Sequence, residues 1–97
     1  MIVEIEVLPQ PLGTPNDPYR HVEAAIAEIE GAGVTFEVGA LGTTYEASPD
    51  VAWNLARQVH EACLAAGARS VVTVIKLAQV SAGEEPTIAA LTQKYRT

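Results

Sequence analysis

Cysteine is almost absent from this chain, and aromatic residues, cationic residues and long apolar runs are scarce. The one thiol, Cys63, has no partner in 97 residues, so the chain is no disulfide scaffold and suits a reducing compartment. One cysteine and two widely spaced histidines, His21 and His60, are too few for a Cys/His zinc site, and no metal or cofactor is expected. Six Lys and Arg stand against twelve Asp and Glu, for a net charge of -6. No basic stripe can neutralise phosphates, which argues against nucleic acid and against anionic membrane surfaces. No apolar stretch approaches the ~20 residues of a membrane span. The start, Met1-Ile2-Val3-Glu4, lacks the basic segment of a signal peptide, so a cytoplasmic location is expected.

What remains is a core made of small aliphatics. Apolar residues are 48% of the chain and aromatics 5%, so Val, Ile, Leu and Ala must fill the interior of one domain.

Val3, Ile5 and Val7 alternate with Glu4 and Glu6, which predicts a half-buried first strand over 2–8. Pro9, Pro11 and Gly13 should end it, and the loop from Pro9 to Pro15 lacks a ladder donor at three prolines. Asp17-Pro18 reads as a cap and first turn, followed by Val22, Ala25, Ile26 and Ile29 at helical spacing, with Gly31 and Gly33 as the exit. Val34, Phe36 and Val38 predict a second strand, Gly39 to Gly42 a turn and Thr43 to Ala47 a third strand. Ser48-Pro49 opens a second helix running to about Ala66, with Ala52, Leu55, Val59, Ala62, Cys63 and Ala66 inward. A second stripe on it, Trp53, Arg57, His60 and Leu64, lies off that face and predicts contact with another element or subunit. Ser70 to Leu77 is apolar on both faces, as expected of a central or doubly covered strand. Pro86 starts a last helix with Ile88, Leu91 and Tyr95 on one side.

The element order is therefore β-α-β-β-α-β plus a C-terminal helix, an α+β ferredoxin-like sandwich over 1–97. One sheet face is left to Glu4, Glu6, Thr35, Glu37, Val72, Val74 and Lys76. Its exposed valines predict sheet-to-sheet or edge-to-edge association into a dimer or tetramer.

No Walker loop, nucleophile elbow, HExxH or dinucleotide fingerprint is present, and no catalytic residue is assigned. Cys63 falls on the core stripe and reads as an inert thiol. His60 is either a ligand or base, or a boundary histidine bonded to backbone or a partner. Glu4, Glu6 and Glu37 are either solvated strand positions or site carboxylates, and Lys76 either pairs with a glutamate or joins a site. Thr14, Thr43, Thr44 and Thr73 form a further group: Thr14 and Thr43 each follow a Leu-Gly pair at a strand end, where a hydroxyl caps backbone or binds a small polar ligand, whereas Thr73 reads first as a good strand former.

Several short pieces in order carry a resemblance. They are Glu4, Pro11-Leu12-Gly13-Thr14, Phe36-Glu37, Leu41-Gly42-Thr43 with Glu46, His60-Glu61-Ala62, Gly67-Ala68-Arg69, Val71-Val72-Thr73 and Ile75-Lys76. Together, over residues 2 to about 76, the chain resembles the YkoF-like thiamine-binding family of small ferredoxin-like proteins. It departs from that family after the lysine, where Leu77-Ala78-Gln79-Val80-Ser81 replaces an acidic, arginine-bearing turn. The resemblance implies binding, without chemistry, of thiamine or its hydroxymethylpyrimidine part by a homo-oligomer. It points to Glu37 and Glu46 as carboxylate partners, Thr43 and Thr73 as hydroxyl partners and His60 as a wall or hydrogen bond. Two other classes compete: a regulatory or interaction module with a different ligand, and a small enzyme centred on His60.

Overall fold

A computed structural model describes residues 1–96. Its elements are β1 (Ile2–Gln10), α1 (Arg20–Glu30), β2 (Thr35–Val38), β3 (Thr43–Glu46), α2 (Pro49–Ala65), β4 (Ser70–Ala78) and α3 (Ile88–Thr92), which ends in a 3-10 turn at Gln93–Tyr95. The strands form one antiparallel sheet in the order β2-β3-β1-β4. This is the expected ferredoxin-like topology.

Strand pairing fixes the two faces. Val3 pairs with Tyr45 and Leu77, and Ile5 with Thr43 and Ile75, so these side chains lie under the helices. Glu4 pairs with Thr44 and Lys76, and Thr44 with Glu37, so these lie on the open face as expected. The core is the layer between: Val3, Ile5 and Tyr45 from the sheet, Ala25 and Ile29 from α1, and Ala52, Leu55, Ala56, Val59 and Cys63 from α2. Tyr45 is its largest member. Its hydroxyl donates to the Ala52 carbonyl at 2.8 Å, satisfying the one polar atom it brings inside.

Four local expectations are corrected. β1 does not stop before Pro9 but continues to Gln10, paired with Ser70. The reason is alternation. The Met1 carbonyl accepts from Ala47 on the β3 side, so the backbones of odd residues of β1 face β3 and those of even residues face β4. β3 pairs only as far as Ile5, so the missing donor of Pro9 faces no strand. Next, α1 starts at Arg20 rather than at Pro18. Asp17 is spent on a tight turn, exchanging backbone bonds with Thr14 and donating its amide to the Thr14 hydroxyl at 3.1 Å. Gly13 is needed there, since a Cβ would stand 2.3 Å from the Asp17 carbonyl oxygen. Third, β4 is an edge strand, not a central one; Val72 is 62% exposed and Val74 48%. Finally, Ile88 is buried but Leu91 and Tyr95 are exposed, because α3 lasts barely more than one turn.

Candidate functional site

The residues expected to form one site fall in three places. Thr43 is buried on the helix face and lines a cavity of about 230 Å³ between α1, β1 and the β2–β3 hairpin. The walls are apolar: Ile5, Val7, Val22, Ile26, Ile29 and Val59. Its mouth is the turn Gly39 to Gly42, where Leu41 is 81% exposed, and Glu6 stands beside it. The backbone adds hydrogen-bonding capacity. Val7 points its amide and carbonyl to the side where β3 has already ended, so both face the hairpin end without a strand partner.

His60 and Thr73 are brought together, but away from that cavity. The His60 Nδ1 and the Thr73 hydroxyl share a hydrogen bond of 2.6 Å, linking α2 to β4. Val59 turns to the cavity and its neighbour His60 turns to the sheet edge. His60 is half-buried and bonds a side chain on β4, rather than the backbone or partner subunit expected of a boundary histidine.

Glu37 and Glu46 are on the open face and cannot share a pocket with Thr43. Both instead hold the C-terminal segment. The Glu46 carboxylate accepts the Ile88 amide at 2.7 Å, at the first turn of α3. The Arg96 guanidinium donates to Glu37 at 2.6 Å. Within one chain these two carboxylates do not meet the hydroxyls of Thr43 and Thr73. In a four-residue strand, positions 43 and 46 differ by three, so they point to opposite faces. Lys76 pairs with Glu4 at 3.5 Å, the structural alternative. Thr14 bonds backbone and not a ligand cavity.

Sequence reasoning left His21 unassigned. It is buried, and its Nδ1–H donates to the Pro11 carbonyl at 2.7 Å, pinning the β1–α1 loop. Its Nε2 sits 3.3 Å from where a Cβ on Gly67 would lie, and Gly67 has φ +123°, so that exit position favours glycine twice over. The signal was available: His21, Ala25 and Ile29 follow at steps of four on the inward face of α1. Burial pushes the Tyr45 hydroxyl up to about 12 and raises the Cys63 thiol, leaving the latter protonated and inert.

Four antiparallel strands with two helices on one face define a ferredoxin-like class of domain, and here a small apolar cleft opens at a hairpin. The chain matches the family described as thiamine-binding protein over residues 3–96, and it belongs to that family. A UPF0045 protein of Clostridium perfringens is 36% identical over 59 residues, which is 61% of this chain and 62% of that protein, so the match spans less than two thirds of the relative's length. A domain of unknown function, DUF77, from Bacillus cereus superposes with a TM-score of 0.83 at 36% identity, covering 98% of this chain and 88% of that one. A candidate thiamine biosynthesis/salvage protein of Thermotoga maritima superposes with a TM-score of 0.81 at 22% identity over 98% of this chain and 97% of its own, and shares the fold. Among the described residues no helix is long and apolar enough to cross a membrane.

Proposed function

We propose that this protein binds thiamine, or its hydroxymethylpyrimidine part, in the cavity beneath the β2–β3 hairpin, without chemistry and as a homo-oligomer. The observation that carries the reading is the cavity's make-up: apolar walls, the buried Thr43 hydroxyl and the unpartnered Val7 backbone at one end. A flat aminopyrimidine offers ring faces for such walls, and donors and acceptors for a strand edge. At about 230 Å³ the space suits one ring rather than two. The cationic thiazolium of whole thiamine would then stay at the mouth, near the Glu6 carboxylate. Neither histidine lines the cavity, which supports binding over acid–base work. The family description and the Thermotoga maritima relative's name agree with the ligand class.

Titration calorimetry tests this. Heat is expected with both thiamine and hydroxymethylpyrimidine. Thr43→Val should weaken both by roughly tenfold, the effect of one lost hydrogen bond of about 1 kcal/mol or a little more. Glu6→Gln should weaken thiamine and leave neutral hydroxymethylpyrimidine unchanged. No heat from either ligand at millimolar concentration overturns the reading.

A further inference from the structure

β1 and β3 part early. Their pairing ends at Ile5↔Thr43, although β1 runs on to Gln10. From Glu6 onward β1 has β4 on one side and no strand on the other. The sheet is therefore notched at the hairpin, and the notch joins its two faces. The hairpin lies close against the inner edge of the notch: a Cβ on Gly42 would stand 3.1 Å from the Ile5 carbonyl oxygen and 3.7 Å from the Glu6 Cβ. Glu6 and Leu41 line the cavity on the helix side and also a hollow of about 330 Å³ on the open face, whose other walls are Glu4, Val74 and Lys76.

Charge in the notch is unbalanced. Glu4 pairs with Lys76, and Glu37 with Arg96. Glu6 is half-buried and has no ionic partner among the described residues. On the inner side Thr43 is 4% exposed, and its hydroxyl bonds no other described residue, so its hydrogen-bonding capacity is left to the cavity. A free hydroxyl and a free carboxylate thus stand one behind the other along the way from the cavity to the open face.

We propose, resting on the cavity reading above, that the site continues round the end of β3 and selects the free alcohol of its ligand against the phosphate monoester. The ring sits on the helix side, its substituent passes Glu6, and a longer ligand reaches the open-face hollow. A phosphate monoester carries about -1.5 to -2 charge at pH 7. It would have to stand beside the Glu6 carboxylate at a half-buried position, where like charges are poorly screened. The nearest cations do not answer it. Lys76 and Arg96 each already balance a carboxylate, and the outer hollow holds Glu4 and Glu6 against Lys76 alone. The charge of -6 on the whole chain repels an anion at longer range too. A hydroxyl meets none of these penalties, and a cationic ring is drawn to the same carboxylate.

The test is calorimetry on the full chain with two pairs of ligands: hydroxymethylpyrimidine and its phosphate, and thiamine and thiamine monophosphate. Each ester is expected to bind more weakly than its alcohol by roughly tenfold or more. Glu6→Gln removes the unpaired charge and should shrink both ratios by roughly threefold or more. Asp50→Asn makes the same charge change at the start of α2, lines neither hollow, and should leave the ratios as they are. Glu4→Gln frees Lys76. It should narrow the gap more for thiamine, whose phosphate reaches the open face, than for hydroxymethylpyrimidine, whose phosphate stops at Glu6. Esters that bind as well as the alcohols, or ratios that Glu6→Gln leaves unchanged, overturn the charge selection. Equal effects of Glu4→Gln on the two pairs overturn the path round β3. Both of those results leave the cavity reading standing. No heat from any of the four ligands overturns the cavity reading, and the inference with it.

Discussion

β2 and β4 close the same sheet at opposite rims, and the chain treats the two rims differently. β2 has four residues between a glycine-containing approach and a glycine turn, too short to template another strand. On its open-face side the C-terminal segment is tied down by Glu46, Arg96 and the buried Ile88. β4 has more than twice the length and receives no such cover, and the helix beside it exposes Trp53 and Leu64. One rim is finished by the chain itself, whereas the other keeps its hydrogen-bonding row and apolar flank open among the described residues. The difference separates two kinds of carboxylate and hydroxyl that looked equivalent in sequence. Glu37 and Glu46 belong to the finished rim, His60 and Thr73 to the open one, and Thr43 to the cavity between.

The finished rim depends most on Tyr45, whose ring fills the core under β3. Tyr45→Ala should cost about 4 kcal/mol, the range for emptying a buried aromatic site, and urea unfolding measures it. An equal loss from Thr73→Ala would show that the two rims are not separable, since that change removes one bond at the sheet edge.

The same residue gives a pH signature. The Tyr45 hydroxyl is raised from 10.0 to about 12 by burial. Below pH 10 it is protonated in both the folded and the unfolded chain, and its contribution is fully present. Between about pH 10 and 12 the unfolded chain loses this proton first, so stability falls by about 2–3 kcal/mol over that window. Tyr45→Phe should abolish that part of the alkaline slope. It should itself cost about 1 kcal/mol at neutral pH for the lost bond to Ala52. Chemical unfolding across pH 8 to 12, with both proteins, checks slope and offset together.

Much of the fold is legible in the sequence because alternation and helical spacing report burial directly. Val3, Ile5 and Val7 declare β1; Ala25 and Ile29, and Leu55 and Val59, declare the helix faces. What the sequence does not show is what a segment pairs with. Pro9 looks like a terminator until the strand on its donor side is known to be absent. Asp17 looks like a cap until Thr14 claims it. The apolar run of β4 reads as central, since apolar character reports that a surface needs covering, whichever molecule supplies the cover. For the site, the split of Thr43 from Glu46 follows from strand parity alone, whereas the bonds of Glu37 and Glu46 to residues 59 and 42 positions further on do not.

The polar ties of the C-terminal segment sharpen the comparison at a smaller scale. Glu46→Ala leaves the Ile88 amide without its acceptor and should cost about 1–2 kcal/mol, since a bond to a charged group is lost at a part-buried site. Hydrogen exchange at Ile88 should quicken while amides of β4 stay unchanged.

The smallest effect expected is at Arg96. Its bond to Glu37 is short, but the arginine side chain is 58% exposed and the glutamate 35%, so solvent screens most of the attraction. Arg96→Ala should cost less than about 1 kcal/mol, and added salt should shrink even that. Glu46→Ala should keep most of its effect in salt, because the bond it removes is to a backbone amide beside buried Ile88. If both variants instead lost stability equally, and both losses vanished in salt, the segment would be held by surface charge alone. The β2 rim would then be nearly as open as the β4 rim. Parallel urea titrations at low and high ionic strength decide this, with Ile88→Ala as the reference for the one apolar anchor.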